Sequence, residues 1–224
     1  MFSIAIDGPA GAGKSSVAKA VAAELGFTYV DTGAMYRAIA LYMLESIEDI
    51  EDQAAVSAAL PQVRLALEYG PQGQRTLLNG RDVSADIRAE RVSIATSRWV
   101  AHVPKVREFL LNAQKELAEK NNVVMDGRDI GTVILPRAQL KIFLTASAEE
   151  RARRRTAQLR EAGGPADYEQ VLNEVIKRDR QDAEQLDMVP ADAVVLDSTG
   201  LGFDQVLDRI TGLARERMQA YDEG

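Results

Sequence analysis

The chain has 224 residues, 46% of them hydrophobic and 27% charged, which is typical of a globular protein with one sizeable core. The absence of cysteine excludes disulfides, thiolate metal sites and a cysteine nucleophile, and it fits a reducing cytoplasm. The formal net charge of −7 repels a nucleic-acid backbone, so any anionic ligand has to be bound by local positive charge.

Short strands and helices alternate at the start of the chain. A buried strand is predicted over 2–7, and a helix over 14–25 carries its apolar residues on one face and stops at Gly26. A second strand over 27–30 and a second helix over 34–44 follow. This order predicts an α/β fold with a parallel sheet.

The middle of the chain departs from this order. Residues 63–68 and 75–78 have extended patterns on either side of a Gly-Pro-Gln-Gly turn, and together they predict an antiparallel hairpin. A hairpin within a parallel α/β chain indicates a small inserted subdomain, which we expect at about residues 60–100. Helices are predicted over 89–100 and 104–117.

The second half resumes the alternation. Strands are predicted over 122–125, 140–144 and 193–196, and helices over 147–160, 167–182 and 203–218. The chain therefore predicts a single α/β domain with a five-stranded parallel core sheet flanked by helices.

The segment that joins the first strand to the first helix matches the pattern G-x-x-x-x-G-K-[ST] in full. Its glycines let the backbone turn N–H groups towards phosphate oxygens, and the helix adds its positive dipole end. We predict that it binds a nucleoside triphosphate, ATP, with Lys14 at the β- and γ-phosphates and the Ser15 hydroxyl on Mg²⁺. The predicted ATP-binding residues are Gly8, Pro9, Ala10, Gly11, Ala12, Gly13, Lys14, Ser15 and Ser16.

Phosphate binding alone leaves a GTPase switch, a motor ATPase and a small-molecule kinase open. The sequence has neither an Asn-Lys-x-Asp segment for guanine nor the Leu-Ser-Gly-Gly signature of transporter ATPases. It has instead arginines at strand ends and an arginine-rich helix. Those residues favour a kinase with a second, anionic substrate.

Two strand-end segments carry candidate ligands for that substrate, because parallel sheets bind ligands at the carboxyl ends of their strands. In the first, Arg37 can offer its planar fork to a phosphate, unless Asp31 is only a helix cap and Arg37 a surface residue. In the second, Asp126 can either orient Mg²⁺ through water or fix loop hydrogen bonds. Arg128 can bind a phosphate, and Asp129 can accept from an exocyclic amino group. The alternative for this segment is a turn with a local ion pair.

The helix predicted over 147–160 contains a run of arginines with two interpretations. It is either a solvated face balanced by glutamates or a lid, over about 147–183, that closes on ATP and brings arginines to the transferring phosphoryl group. An acceptor phosphate is already ionised at neutral pH, so a monophosphate kinase needs no general base. The arginines of this run are Arg151, Arg153, Arg154, Arg155 and Arg160, of which Arg154 is the catalytic candidate.

The sequence resembles the bacterial cytidylate kinases over essentially its whole length. The segments that carry the resemblance are Ile6-Asp7-Gly8-Pro9 with the glycine loop, Asp31-Thr32-Gly33-Ala34-Met35-Tyr36-Arg37, Asp82-Val83-Ser84 with Ile87-Arg88, Pro104-Lys105-Val106-Arg107, Asp126-Gly127-Arg128-Asp129-Ile130-Gly131-Thr132, Lys141-Ile142-Phe143-Leu144, Glu149-Glu150-Arg151-Ala152 and Lys177-Arg178-Asp179. The resemblance implies a P-loop kinase fold, with a small inserted monophosphate-binding subdomain and a helical lid. It also implies transfer of a phosphoryl group from ATP to CMP or dCMP.

Residue roles follow from the same resemblance. It implies that Arg37 and Arg128 hold the acceptor phosphate and that Ser97, Arg107 and Asp129 contact cytosine. It implies that Arg178 and Asp182 lie near the ribose and the phosphates, with Lys14, Arg128, Arg154 and Arg178 as the catalytic set. Thr32, also expected at the acceptor, stands where the family often has serine and keeps the hydroxyl.

Two further departures from the family pattern concern the acceptor. The spacing from Ser97 to Arg107 is one residue longer, which leaves either Ser97 or a neighbour to face the base. Gln185 stands where the family carries an arginine, whose charge could come from Arg180 instead.

Alternative functions remain open from the sequence. A related kinase could act on another monophosphate or on an alcohol, in which case Asp31 is the convenient base. A nucleotide-dependent switch would have no use for a second anion pocket. We expect a cytoplasmic monomer with no membrane span or signal peptide, and the single histidine, His102, at the surface or in a groove.

Overall fold

The protein is described from a computed structural model, over residues 1–70, 73–161, 163–181, 183 and 189–222. The strands are β1 (Ser3–Asp7), β2 (Thr28–Asp31), β3 (Leu65–Gly70), β4 (Gly73–Leu78), β5 (Arg81–Asp82), β6 (Val123–Gly127), β7 (Leu140–Thr145) and β8 (Val194–Asp197). The α-helices are α1 (Lys14–Leu25), α2 (Thr32–Ser46), α3 (Gln53–Ala59), α4 (Glu90–Arg98), α5 (Pro104–Lys120), α6 (Ala148–Glu161), α7 (Tyr168–Gln181) and α8 (Phe203–Asp222).

The predicted five-stranded parallel sheet is confirmed, with the strands in the order β2-β6-β1-β7-β8. The central strand β1 pairs in parallel with β6 on one side and β7 on the other, so that Ile6 lies beside both Asp126 and Ile142. Every residue of β1 is buried, as its nearly continuous apolar sequence predicts for a strand covered on both faces.

The hydrophobic core around this strand joins the sheet to α1 and α8. Ile4 and Ile6 of β1 cluster with Val17 and Val21 of α1 and with Ile210 of α8. These positions recur at helical spacing on α1, which is why the sequence alone indicated the helix and its buried face.

The chain forms two compact units, Met1–Tyr29 with Asn121–Gly224 and Val30–Lys120. In the second unit, α2 begins at Thr32, two residues earlier than predicted, because the Asp31 side chain accepts the Ala34 N–H at 2.8 Å and caps the helix. The extent of a monophosphate-binding insert at about 60–100, within one kinase domain, stays a prediction.

The predicted hairpin is present as the antiparallel pair β3–β4, with Glu68 opposite Arg75. Pro71 and Gln72 of the predicted turn lie outside the described residues. The sequence did not predict the short third strand β5 or the helix α3. No helix in the described part of the chain is long and apolar enough to cross a membrane.

Replacing Gly8 by alanine should lower the free energy of unfolding by about 3 kcal/mol or more, measured by urea denaturation. The added methyl group would lie 2.0 Å from the Leu144 carbonyl oxygen, and Gly8 has φ +142°. The control Gly26→Ala, at φ +68° with nothing within 4 Å of the new atom, should cost about 1 kcal/mol. Equal costs for the two variants would contradict this close approach.

Candidate active site

The glycine-rich loop lies between β1 and α1, in the unit formed by the two ends of the chain. Gly8, Gly11 and Gly13 have φ values of +142°, +78° and +90°, so the backbone turns repeatedly in a region that other residues rarely adopt. Gly13 is also the N-cap of α1, which directs the helix N-terminus at the loop. This geometry suits a phosphate group, because successive N–H groups and the helix dipole face the same anion.

Lys14 is buried and folded back over the loop. Its Nζ donates to the Pro9 carbonyl oxygen at 2.8 Å. The ammonium group therefore sits on the loop itself, close to where phosphate oxygens bind in loops of this kind.

Asp126 connects the start of α1 to the carboxyl end of β6. The Ser15 hydroxyl donates to Asp126 Oδ2 at 2.7 Å, and the Tyr29 hydroxyl donates to Oδ1 at 2.8 Å. A hydroxyl and a carboxylate are the hard oxygen donors that Mg²⁺ takes alongside substrate phosphates. The pair fits a magnesium ion held jointly with a nucleotide, and the described residues contain no group of three or more metal-binding side chains that could hold one alone.

Arg128 and Asp129 follow directly after β6, as predicted. Arg128 Nη1 donates to the Gly8 carbonyl oxygen at 3.2 Å, so this arginine lies against the phosphate loop. Asp129 is buried and precedes a single π-helical turn, Ile130–Ile134, that the sequence did not predict. A cation and a carboxylate thus occupy consecutive positions beside the loop.

Arg151 differs from the other arginines of α6 because it is almost fully buried. Its guanidinium group forms a fork on Asp179 of α7, with Nη1–Oδ1 at 2.9 Å and Nη2–Oδ2 at 2.6 Å. Nη1 also donates to the Ala10 carbonyl oxygen of the phosphate loop at 3.0 Å, and Nε donates to the Ala146 carbonyl oxygen. One side chain therefore ties the phosphate loop to both α6 and α7.

Arg154, the catalytic candidate of this run, is held on two sides. Its Nε donates to Glu150 at 2.9 Å, and its Nη2 donates to the Ser198 carbonyl oxygen at 2.7 Å. A methyl group built on Gly13 would lie 4.0 Å from Nη1, so this cation faces the phosphate loop.

The other three arginines of α6 are exposed. Arg153 pairs with Glu150, and Arg160 bonds to the Ala166 carbonyl oxygen beyond the end of the helix. The solvated-face interpretation therefore describes these three positions, whereas Arg151 and Arg154 point inward. The exposed residues are Arg153, Arg155 and Arg160.

Arg178 is exposed and lies on α7, next to Asp179 in the sequence. The other two positions expected in this region, Asp182 and Gln185, lie outside the described residues. Arg180, the possible substitute for the family arginine, is also exposed on α7.

In the unit of residues 30–120, the buried carboxylate of Asp31 gathers two arginines. Arg37 Nη2 lies 3.2 Å from Asp31 Oδ2, and Arg88 Nη2 lies 3.3 Å from the same oxygen. Arg37 Nε is buried and has no hydrogen-bond partner among the described residues. A methyl group on Gly33 would lie 3.0 Å from Arg37 Nη1, so the glycine leaves room for this guanidinium group. Thr32 follows Asp31 as the first, buried residue of α2.

Ser97 and Arg107 lie on either side of one short connection, the 3-10 turn Val100–His102. The Ser97 carbonyl oxygen is 2.9 Å from His102 Nε2, and Arg107 Nη1 donates to the Ala101 carbonyl oxygen at 3.5 Å. His102 is exposed, as expected. Both residues therefore contact the same turn.

The sequence indicated no individual role for Asp7, Tyr29 or Arg151. Asp7 had one signal, a carboxylate ending a strand that is otherwise apolar. Arg151 had none, because its neighbours on α6 are chemically the same and only packing separates them. Tyr29 looks like an ordinary strand residue until its hydroxyl is seen to reach Asp126.

Comparison with known proteins matches almost the whole chain. A family model described as cytidylate kinase covers residues 4–216. A cytidylate kinase of Caldanaerobacter subterraneus is 49% identical over 92% of this chain and 92% of that protein. A cytidylate kinase of Mycobacterium avium is 48% identical over 96% of both chains.

Solved structures support the fold. The crystal structure of a gluconokinase from Sinorhizobium meliloti gives a TM-score of 0.50 at 18% identity, over 100% of this chain and 97% of that one. An uncharacterised protein from Eubacterium ventriosum gives a TM-score of 0.50 at 14% identity, over 95% and 98%. Together with the sheet order, this likeness confirms the predicted P-loop kinase fold.

Replacing Asp179 by alanine should lower the free energy of unfolding by about 2 kcal/mol, measured by urea denaturation. The change leaves the buried guanidinium group of Arg151 without its anionic partner. As a control, Glu116→Ala removes the exposed partner of Lys120 and should change stability by less than about 0.5 kcal/mol. A loss at Asp179 no larger than this control would show that the buried fork contributes nothing.

Proposed function

The chain belongs to the cytidylate kinase family, and on that premise we propose that it transfers the γ-phosphoryl group of ATP to CMP or dCMP. The products are ADP and CDP or dCDP. One observation carries this function: the phosphate loop after β1 and Arg128 after β6 are in direct contact through the Gly8 carbonyl oxygen. A donor loop and a cation for a second anion therefore occupy neighbouring strand ends.

The donor half is the loop from Gly8 to Ser16. Its N–H groups bind the phosphates of ATP, and Lys14 exchanges the Pro9 carbonyl oxygen for phosphate oxygens. The residues that would hold Mg²⁺ are Ser15, directly, and Asp126, through its bond to the Ser15 hydroxyl. When bound, the ion neutralises charge on the phosphates.

The acceptor assignments also follow the family pattern. Arg37, Arg128 and the hydroxyl of Thr32 are assigned to the phosphate of CMP, and the Nε of Arg37, buried with no hydrogen-bond partner among the described residues, supports its role. Asp129 accepts from the cytosine amino group.

The remaining assignments follow the family pattern. Ser97 and Arg107 contact the base. Arg178 and Asp182 serve the ribose and the phosphates. Arg154 and Arg178 stabilise charge on the transferring phosphoryl group, which is the main demand of a loose transition state.

A phosphate acceptor needs no general base, and the environment of Asp31 supports this choice over an alcohol acceptor. Its oxygens already accept the Ala34 N–H and two guanidinium groups, from Arg37 and Arg88. Asp31 is therefore engaged as a helix cap and counter-ion rather than available to remove a proton. The protein acts, on this proposal, as a cytoplasmic monomer.

A panel of acceptors tests this function directly. With Mg²⁺ and ATP, formation of ADP in a coupled assay should be fastest with CMP and dCMP and much slower with UMP and AMP. Lys14→Ala should lower kcat by about 10²–10³-fold, because a cation on the transferring phosphoryl group is lost. The exposed Lys115→Ala should remain within twofold of the unchanged protein. Equal or better turnover of UMP or AMP would contradict cytosine selection, and no transfer to any nucleotide would contradict the kinase.

Asp129→Asn should lower the ratio of kcat/KM for CMP to that for UMP by about tenfold. Cytosine presents an amino donor where uracil presents a carbonyl oxygen, and asparagine no longer offers a purely accepting group. The kcat/KM values for CMP and UMP come from initial rates in the same coupled assay. Asp208→Asn, an exposed position on α8, makes the same chemical change and should leave the ratio unaltered. A parallel loss with both nucleotides would remove Asp129 from base recognition.

A further inference from the structure

Asp7 is a buried carboxylate for which the proposed phosphoryl transfer has no use. It ends the central strand β1 and is only 4% exposed. Its Oδ1 accepts the Ile130 N–H at 2.8 Å, and its Oδ2 accepts the Gly131 N–H at 2.7 Å. Both N–H groups belong to the π-helical turn that begins immediately after Asp129.

We propose that Asp7 is a positioning residue that holds Arg128 and Asp129 in place beside the phosphate loop, and so controls how well the acceptor is bound and selected. This role rests on the proposed function. Asp7 acts through the backbone, since each of its two oxygens accepts a backbone N–H from the turn after Asp129.

The contacts of two consecutive residues support this role. Asp7 holds the backbone just after Asp129, and the next residue, Gly8, accepts a hydrogen bond from Arg128 at 3.2 Å. The short segment 128–131 is therefore fastened at both ends to the point where β1 becomes the phosphate loop. Displacements of about 1 Å in a reacting geometry can cost about 10²-fold in rate, so this fastening matters for transfer.

Gly131 supplies an independent observation from the other side of the contact. A methyl group there would lie 3.3 Å from each of three atoms, Asp7 Oδ2, Lys141 Cδ and Pro190 Cγ. An added methyl group would therefore press on the carboxylate oxygen that accepts the Gly131 N–H, and relieving the contact would shift the two groups apart by a few tenths of an ångström.

The charge of Asp7 is costly, which argues that it serves more than packing. Burial raises the pKa of Asp7 above its usual value of 3.8, the N–H bonds from Gly131 and Ile130 lower it in part, and the charge of Asp129 raises it again. Because the folded-state pKa is the higher one, stability present below pH 3.8 is lost as the pH rises through that pKa. An ionised Asp7 thus costs folding free energy. A carboxylate nevertheless suits the site, because asparagine has one accepting oxygen for two N–H donors.

The test uses Asp7→Asn, Gly131→Ala and the double variant, each assayed with ATP, CMP and UMP. We expect kcat/KM for CMP to fall at least tenfold in each single variant and the CMP-to-UMP ratio to fall with it. The KM for ATP should stay within twofold. The double variant should be little worse than the worse single variant, because both changes break one contact. Asp208→Asn and Gly212→Ala, where the new methyl group meets nothing within 4 Å, are the matched controls.

Several results would overturn the role. One is an unchanged kcat/KM for CMP in either folded single variant, with folding checked by circular dichroism at the assay temperature. Another is an equal loss for CMP and UMP with a matching rise in the KM for ATP, which is the result of general loosening. Independent, multiplying losses in the double variant would also count against it. If Asp7→Asn does not fold, Gly131→Ala decides alone. Failure of the unchanged protein to phosphorylate CMP would overturn the proposed function instead.

Discussion

The candidate site depends on how one strand ends. β1 lies in the middle of the sheet with every residue buried, and its last residue, Asp7, is followed by a glycine packed against the Leu144 carbonyl oxygen. The close approach of Gly8 fixes where the phosphate loop begins, and the carboxylate of Asp7 holds the turn after β6 beside it. The loop leads directly into α1, which begins with Lys14 and Ser15.

The second constraint is local charge compensation. The chain is acidic overall, so positively charged side chains have to lie where anions bind. The chain achieves this by pairing each inward arginine with specific acceptors. Arg151 spans Asp179 and the Ala10 carbonyl oxygen, and Asp31 gathers Arg37 and Arg88. Guanidinium groups held by fixed acceptors are preorganised, as charge-stabilised catalysis requires.

Most of the regular elements were predicted because each has a recognisable pattern in its own stretch of sequence. Apolar spacing marked α1, alternation around glycines marked the hairpin, and the strand–helix order predicted the parallel sheet. The short strand β5, the helix α3 and the π-helical turn have no such pattern. β5 and α3 are too short for an apolar pattern to mark them, with two and seven residues. The π-helical turn depends on Asp7, which lies more than a hundred residues away in the sequence.

The sequence by itself determined the phosphate loop, since a glycine pattern between a strand and a helix has one strong chemical use. It also determined the family, through segments spread along the chain. Only the tertiary structure decided which of several identical side chains matter. Arg151 and Arg153 are two residues apart on one helix, yet one is buried against the phosphate loop and the other faces solvent. Burial and partner choice depend on the packing of distant elements, and composition or spacing within one element does not encode them.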